Sequence, residues 1–299
     1  MLNHSIVPAA LTPWSFQGSN YGFSLGGSSV NVIQRFSLTS SGNATDWGDL
    51  TQTVRGAAGH TDGSYGYRAG GADSSYYNVI DRFSYESSGN ASDVGDLTVT
   101  RKVSASSSSA DHGYSAGGNN GGTRYNTIDR YAYGSSSNAS DVGDLVAANS
   151  GGSGHTSSDY GWVAGGDLGN GDYDATDMIQ RYSYASSGNS SDWSNLIAYR
   201  YNYGGSSSTD YGYPAGGAYG DVIVNTIQRF AFASASNATD VGNLTSTRQN
   251  NWGVSAENYG YVCGGANNII ERHSFASSAN ASDWGDLTQS LYTGIGVQY

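Results

Sequence analysis

Several features are scarce or missing in this chain, and each scarcity excludes a class of protein. The single cysteine, Cys263, rules out an intrachain disulfide, so thiol usage does not indicate a cellular compartment. No apolar run approaches the roughly 18 residues of a membrane span, and no basic segment followed by a long apolar stretch opens the chain. We therefore expect neither a membrane span nor a secretory signal.

Charge is also scarce, and it is mostly of one sign. Charged residues make up 13% of the chain, about half the usual ~25%, and Lys102 is the only lysine. The formal net charge of −12 argues against binding nucleic-acid phosphates or an anionic membrane surface. It suits a soluble particle, a calcium-bearing surface or a salty environment. Good helix formers are few beside 44 glycines, which argues against a helical bundle.

What the chain does contain is one unit repeated six times. Each unit has an aromatic run that ends in Gly-Gly, then Ile-x-Arg, then an Asp 11 residues after the Arg, and a Leu 4 residues after the Asp. Successive arginines of Ile-x-Arg lie 43 to 51 residues apart. The units start near Tyr21, Tyr65, His112, Tyr160, Tyr211 and Tyr259. Only the stretch between Gly-Gly and the next Ile varies in length, so one loop per unit is free to change.

The residue pattern of each unit predicts four short strands, and the second unit illustrates them. The first follows the Leu, as in Thr51–Gly59, and the second is the aromatic run ending at Gly-Gly. The third is Val79–Tyr85, rich in β-branched and aromatic residues, and the fourth follows the turn Ser87–Asn90. Four strands repeated six times predict an all-β fold, a six-bladed β-propeller.

The repeats resemble those of the kelch family. The hydrophobic run into Gly-Gly, the variable loop, the aromatic strand and the Trp of Asp-Trp-Gly-Asp-Leu (Trp47, Trp284) carry the resemblance over residues 21–299. The pattern departs from kelch in three units, which have Val at the Trp position: Val94, Val142 and Val241. The residue pattern of the units also resembles that of kelch-like propellers predicted in marine phages and bacteria. This resemblance implies that the protein is located on a virion or an extracellular surface.

The two ends of the chain have different predicted roles. Residues 288–296 match residues 51–59 in register, so we expect the C-terminus to supply the missing strand of the first blade. Closing the ring in this way removes two sheet edges that promote aggregation. The propeller then covers residues 17–299, and residues 1–16 are an N-terminal arm, either a disordered or capping tail or an attachment segment.

The recurring Arg and Asp of each unit are predicted to form structural pairs. A buried Arg needs a carboxylate partner, and six copies of one pair indicate architecture, because catalysis needs a single asymmetric site. The predicted pairs are Arg35 with Asp46, Arg82 with Asp93, Arg130 with Asp141, Arg181 with Asp192, Arg229 with Asp240, and Arg272 with Asp283.

Two further repeated elements each have two interpretations. Asp-x-Gly-Asp has carboxylates beside a turn, as in calcium sites, but Asn195 and Asn243 replace its second Asp, which favours a turn cap. Every unit also carries an Asn-x-Ser/Thr sequence, which is a glycan acceptor in a secreted eukaryotic protein and otherwise a turn. The turn is again favoured. These residues are Asn43, Asn90, Asn138, Asn189, Asn237 and Asn280.

No pattern in the sequence predicts an enzyme or a bound cofactor. His60 and His155 occupy equivalent repeat positions rather than a ligand cluster, so no transition-metal site is expected. Cys263 lies within a Gly-Gly strand, where a buried inert thiol is expected rather than the Cys–Tyr copper site of kelch-like oxidases. The arginine cluster of sialidase propellers and the common nucleophile and phosphate-loop motifs are missing.

The variable loops are the predicted binding site, because they would gather around the propeller axis on one face. Their tyrosines and polar side chains suit stacking on sugar rings and hydrogen bonding to sugar hydroxyls. The candidate ligand-binding residues are Tyr76, Tyr77, Arg124, Tyr125, Asp172, Tyr173, Asp174, Asp177, Tyr219 and Asp221. Calcium is the one possible cofactor, and its candidate ligands are Asp167, Asp172, Asp174 and Asp177.

Two functions remain open at this point. One is a non-enzymatic binding module on a phage virion or cell surface, which recognises a saccharide or an envelope receptor through the variable loops. The alternative is a structural or decoration protein that packs against other subunits of a virion or extracellular assembly. Neither requires nucleic acid or membrane insertion.

Overall fold

The protein is a six-bladed β-propeller, and each blade is a four-stranded antiparallel sheet. A computed structural model describes residues 15–169 and 174–299, and no helix among them is long and apolar enough to cross a membrane. Strands are numbered β1 to β26 in chain order. Within each blade one strand lies nearest the axis and contacts the inner strands of both neighbouring blades.

The first three blades follow one another along the chain. Blade 1 contains β1 (Tyr21–Leu25), β2 (Val30–Ser37), β3 (Thr45–Val54) and, as its inner strand, β26 (Ile295–Gln298). Blade 2 contains β4 (Ala58–Thr61), β5 (Tyr65–Ala69), β6 (Val79–Ser84) and β7 (Ser92–Asp96). Blade 3 contains β8 (Ala105–Ser108), β9 (His112–Ala116), β10 (Thr127–Ala132) and β11 (Ser140–Asp144).

The last three blades repeat this order, and one of them carries an extra hairpin. Blade 4 contains β12 (Ser153–Thr156), β13 (Tyr160–Asp167), β14 (Ala175–Ser183) and β15 (Ser191–Asn195). Blade 5 contains β16 (Gly204–Ser207), β17 (Tyr211–Ala215), β20 (Thr226–Ala231) and β21 (Thr239–Asn243), with the hairpin β18 (Ala218–Tyr219) and β19 (Val222–Ile223). Blade 6 contains β22 (Asn251–Ser255), β23 (Tyr259–Gly264), β24 (Asn267–Ser274) and β25 (Ser282–Leu291).

The inner strand begins later than the sequence predicts. Instead of covering Thr51–Gly59, it runs from Ala58 to Thr61, and residues 51–54 extend the outer strand of the preceding blade. The reason is geometric: the outer strand of one blade and the inner strand of the next lie at opposite edges of their sheets. The chain must therefore cross from rim to axis, and Gly56, with a φ of 64°, turns it there.

Ring closure by the C-terminus is confirmed. β26 pairs with β1 in antiparallel register, with Ile295 opposite Leu25 and Gln298 opposite Gly22. The start of the described chain reinforces this contact, because the carbonyl oxygen of Tyr299 accepts hydrogen bonds from the backbone N–H groups of residues 19, 20 and 21 at 2.9 to 3.0 Å. The C-terminal strand is thereby held as the inner strand of blade 1.

Glycines allow the inner strands to approach one another closely. A Cβ on Gly296 would lie 2.0 Å from the Gly253 carbonyl oxygen, and one on Gly154 would lie 2.1 Å from that of Ser106. A side chain larger than that of serine does not fit such a space, and five of the six inner strands have glycine there: Gly59, Gly154, Gly205, Gly253 and Gly296. The apolar cores lie farther out, between the faces of adjacent blades, where Phe23 of blade 1 packs against Phe83 of blade 2.

The repeated asparagines join neighbouring blades. The Asn90 side-chain oxygen accepts the backbone N–H of Asp49 at 3.1 Å, and the same bond recurs around the ring. In four units the Asp is a turn cap, as in Asp46, whose carboxylate accepts the N–H of Gly48 at 3.0 Å. These contacts give both elements a structural role at the turn.

The recurring Arg and Asp make contacts other than the predicted pairing. The ion pairs found within residues 15–169 and 174–299 do not join Arg35 to Asp46, or Arg82, Arg130, Arg181, Arg229 and Arg272 to Asp93, Asp141, Asp192, Asp240 and Asp283. Instead the Arg35 guanidinium lies between two rings, 4.4 Å from the centroid of Tyr21 and 3.9 Å from that of Trp47. Cation–π contacts replace the expected carboxylate.

The strand register explains this difference. In blade 2, Arg82 lies opposite Ser92, and Asp81 lies opposite Asp93. Because neighbouring residues of a strand point to opposite faces, Arg82 and Asp93 cannot face each other. Asp81, the middle residue of Ile-x-Arg, carries the buried charge, and its carboxylate binds Arg68 at 2.6 Å.

Candidate functional site: the mouth of the central channel

A channel runs along the propeller axis, and the two ends differ. Where the variable loops meet, it widens into a cavity of about 290 Å³, which we call the mouth. The mouth is lined by Arg55, Gly56, Lys102, Val103, Asn119, Arg124, Ser150, Asp167, Tyr201, Asn202, Asn250 and Thr293. At the opposite end Phe16 is buried, and the Gln17 amide donates to the Ala256 carbonyl at 2.9 Å. The described start of the chain thus occupies the far end.

The floor of the mouth is a closed ring of backbone hydrogen bonds, which we call the mouth ring. One residue from each unit donates its N–H to the carbonyl of the ring residue in the preceding unit, at 2.5 to 2.8 Å. All six have φ between 50° and 71°, in the left-handed region. The ring residues are Gly56, Val103, Gly151, Asn202, Asn250 and Thr293. Because the ring satisfies its own donors and acceptors, it forms a rigid base for the cavity.

The residue before each ring residue occupies what we call the mouth position. Four of these residues are also fixed from the other side, by paired backbone hydrogen bonds to a residue just after Gly-Gly, such as Arg55 to Ala72 and Lys102 to Asn119. The six mouth positions hold Arg55, Lys102, Ser150, Tyr201, Gln249 and Tyr292. A uniform backbone therefore holds five different residue types at six equivalent positions, which breaks the symmetry of the repeat.

Three cationic side chains line the mouth, and within the described part of the chain only one of them forms an ion pair. The Arg124 guanidinium forms a half-buried ion pair with Asp167 at 2.6 Å. Arg55 donates one hydrogen bond, of 3.3 Å, to the Tyr292 hydroxyl. The Lys102 ammonium lies over the ring of Tyr76, 5.7 Å from its centroid. Within residues 15–169 and 174–299, neither Arg55 nor Lys102 forms an ion pair.

The electrostatics of the mouth disfavour its own charges. Burial lowers the pKa of the Lys102 ammonium, and the nearby Arg55 guanidinium lowers it further. Like charges held together at a half-buried site raise the free energy of the empty site, and a bound anion would lower it. Asp73 is the acidic neighbour on the Arg55 side, and its carboxylate accepts the Thr53 hydroxyl at 3.2 Å.

The structure brings some of the predicted loop residues to the mouth and leaves others away from it. Arg124 lines the cavity, and Tyr76 lies beside Lys102. Tyr125 is not among the lining residues, and its hydroxyl accepts the side-chain amide of Asn120, the neighbour of the lining residue Asn119, at 2.7 Å. Tyr77 packs against the core between blades 1 and 2, which gives it a structural role.

The remaining predicted loop residues lie on blades 4 and 5. The Asp174 carbonyl accepts the N–H of Leu168 across the base of the long loop, and the Asp177 carbonyl accepts the N–H of Leu196, just after β15. Tyr219 and Asp221 belong to the β18–β19 hairpin of blade 5, where Tyr219 packs against the exposed ring of Tyr199 at 5.6 Å. Asp172 and Tyr173 lie outside the described residues.

For calcium, the structure gives Asp167 a different partner. Its carboxylate binds Arg124, and its other oxygen accepts the N–H of Gly169 at 3.0 Å. Within residues 15–169 and 174–299, no three His, Cys, Asp or Glu side chains come together as a metal site. Cys263 is buried, and burial raises the pKa of its thiol.

Sequence reasoning missed Arg55 and Lys102 as site residues. Both lie in the stretch that was interpreted as the first strand of the unit, outside the variable loops. The signal was nevertheless present: they stand 5 residues after the repeat leucines Leu50 and Leu97, at a position whose chemistry changes in nearly every unit. Variation at a fixed offset within a regular repeat is the pattern that would have identified them.

Comparisons with protein-family models and with curated proteins find no match for this chain. The function must therefore be inferred from the fold and from the chemistry of the mouth.

Proposed function

We propose that this propeller is a non-enzymatic binding module of a phage virion or cell surface, which recognises a saccharide or an envelope receptor at the mouth. One observation carries the proposal: an otherwise sixfold scaffold has five residue types at its six mouth positions, and the four of these residues that line the cavity all differ. A purely structural ring has no need of that asymmetry. A six-bladed propeller is compatible with such a role, and its loop face is where binding sites of this kind form.

The chemistry of the mouth supports a polyhydroxylated ligand. Side-chain amides, hydroxyls and charges make up most of its lining, and the tyrosines around it offer aromatic faces with polar tips. Such a surface binds sugar rings by stacking and by hydrogen bonds to their hydroxyls. Its rigid backbone keeps the ordering cost of binding low.

The test is a binding screen against microbial surface polysaccharides, with and without calcium, using the protein as purified. We expect selective binding that is lost when the long loop 167–178 is replaced by its short counterpart 266–269 of blade 6. A matched control replaces Ser135–Ser137, in an exposed turn of blade 3, by glycines and leaves binding unchanged. If the folded protein binds no member of a broad panel, the proposal is wrong.

A second candidate function is supported by a separate surface. Tyr199, Tyr219, Val222 and Ile223 expose 51%, 44%, 61% and 39% of their surface at the β18–β19 hairpin, which forms an apolar patch on blade 5. Exposed patches of this kind mark contacts between proteins. A subunit of a virion or extracellular assembly would use it, and concentration-dependent association that is lost on Val222→Ser would favour this alternative.

A further inference from the structure

The positive charges of the chain divide into three sets by their contacts. Six are the Ile-x-Arg arginines, such as Arg35 and Arg272, each beside an aromatic strand residue. Four are buried arginines that bind backbone carbonyls around Gly-Gly, at positions 68, 101, 200 and 248. The remaining three, Arg55, Lys102 and Arg124, all line the mouth.

This concentration is notable in a chain with 25 acidic residues and only 13 basic ones. The scaffold accounts for ten cations, and no repeat position requires the other three. Their shared location therefore indicates a site. Arg124 is already neutralised by Asp167, which leaves Arg55 and Lys102 as the pair available to an anion.

The other lining groups indicate what kind of molecule carries that anion. Val103 is the one aliphatic side chain larger than a methyl group among the lining residues of the mouth, so it offers no apolar pocket for the hydrophobic anchors of a peptide. Asn119, Asn202 and Asn250 supply amides that both donate and accept hydrogen bonds. Amides and hydroxyls around two cations suit a sugar ring with a charged substituent.

We infer that the mouth binds an acidic saccharide, with its carboxylate or sulfate group between Arg55 and Lys102 and its ring over the asparagines of the mouth ring. This inference rests on the proposed function and specifies its ligand class. The Arg55 guanidinium and the Lys102 ammonium supply charge-assisted hydrogen bonds, and Tyr292 orients Arg55. The site takes one charged group at a time, since Arg124 remains paired with Asp167.

The experiment is calorimetric titration of the full chain with a uronic-acid oligosaccharide, the same oligosaccharide after carboxyl reduction, and a sulfated oligosaccharide. We expect binding of at least one acidic probe, and, for the uronate, loss of affinity on reduction. Arg55→Gln and Lys102→Gln should each weaken binding of that probe about tenfold or more, whereas Arg55→Lys retains part of it. Added salt should weaken binding further.

The control variant is Arg229→Gln, which removes the same charge from a guanidinium that lies over Tyr211, outside the mouth. It should bind with unchanged affinity, and thermal melts establish that each variant is folded. Binding that survives both Arg55→Gln and Lys102→Gln, or equal affinity for the reduced probe, overturns the inference and leaves saccharide binding intact.

The two proposals fail in different ways. If no saccharide binds at all, the proposed function itself is wrong. If tetraglutamate binds with the same dependence on Arg55 and Lys102 while every saccharide fails, the anion site is real but its ligand is an acidic peptide, which overturns the class inferred here.

Discussion

At the residue scale, the middle residue of Ile-x-Arg shows how buried carboxylates are paired with arginines in this ring. All six are fully buried, and each accepts the backbone N–H of the residue that follows the repeat Leu in the preceding unit. They are Gln34, Asp81, Asp129, Gln180, Gln228 and Glu271. Where this residue is a carboxylate, an arginine binds it; where it is glutamine, no charge needs a partner.

The arginine reaches its carboxylate from either of two places. Arg101 and Arg248 come from the crossing segment between blades and bind Asp129 and Glu271. In blade 2 the equivalent crossing position is apolar, and Arg68 of strand β5 binds the carboxylate instead. The pairing thus follows the charge and not the repeat position.

Blade 5 departs from this rule and yields a prediction. Arg200 is buried and donates to the carbonyls of Gly216 and Thr226, as Arg101 does in blade 3, but Gln228 stands where a carboxylate would bind it. Burial lowers the pKa of Arg200. Gln228→Glu should recreate the Arg248–Glu271 arrangement and raise the free energy of unfolding by about 1–2 kcal/mol, measured by denaturant titration.

The matched control is the same substitution in blade 4. Gln180 has no arginine at either equivalent position, which Asn149 and Val163 occupy. Gln180→Glu should therefore place an unpaired carboxylate in the core and lower the free energy of unfolding by about 3 kcal/mol or more. Equal effects of the two substitutions would contradict the pairing rule.

At the element scale, the mouth ring imposes one backbone conformation on all six units. Its six residues share left-handed backbone geometry, although a β-branched side chain such as that of Val103, with a φ of 50°, is disfavoured there. Glycine and asparagine, which tolerate this geometry, occupy four of the six places. The conformation at Val103 is therefore imposed by the closed ring and opposes the local preference of the residue.

Relieving this strain should stabilise the protein. Val103→Asn copies the residue found at Asn202 and Asn250, keeps the ring hydrogen bond and should raise the free energy of unfolding by about 1 kcal/mol. Thermal and denaturant unfolding measure it. Val146→Asn, at a half-exposed site outside the ring, serves as the control and should change stability by less than about 0.5 kcal/mol. A destabilised Val103→Asn would show that valine packing outweighs strain.

At the scale of the whole molecule, buried histidines connect neighbouring blades. The Nε2 of His60 donates to the carbonyl of Tyr114 in blade 3 at 2.8 Å, and the Nδ1 of His155 donates to that of Ser206 in blade 5 at 3.1 Å. His273 of blade 6 hydrogen-bonds the Ser206 hydroxyl at 3.1 Å. Burial lowers the pKa of each of these three histidines to about 4.

Acid should therefore destabilise the ring as the pH falls below about 6.5. The unfolded chain takes up protons on these histidines below about pH 6.5, whereas the folded protein does so only near pH 4, so stability falls as the pH drops between these values. Between pH 6.5 and pH 4, protonation at each histidine lowers the free energy of unfolding by on the order of 3 kcal/mol. Unfolding free energies measured from pH 7 to pH 4 test this.

The contribution of one histidine can be isolated by comparing slopes. His155→Gln should flatten the dependence of unfolding free energy on pH between 6.5 and 4 by about a third of the histidine contribution. His112→Gln changes a more accessible histidine, whose pKa burial also lowers, and should change the slope less than His155→Gln does. Identical slopes for the parent and His155→Gln would contradict the assignment.

Much of the fold could be predicted because the same pattern of strand and turn residues occurs in six units. Gly-Gly, Ile-x-Arg and the offsets of Asp and Leu each reflect a local requirement of strands and turns, and the match of residues 288–296 to residues 51–59 shows where the ring closes. The predicted boundary of the inner strand was wrong because residues 51–59 have the composition of a strand. Only the distance between the rim and the axis of the propeller makes most of this stretch a connection between two blades.

The sequence by itself determined the number of blades, their strand order and their closure, since these follow from periodicity and local chemistry. Tertiary structure alone decided the partners of the charges and the site. Strand register turned Arg35 away from Asp46 and onto Trp47, and the closed mouth ring brought Arg55 and Lys102 together from neighbouring units. Such contacts join residues from different blades, and their distances are set by ring geometry, which no local pattern encodes.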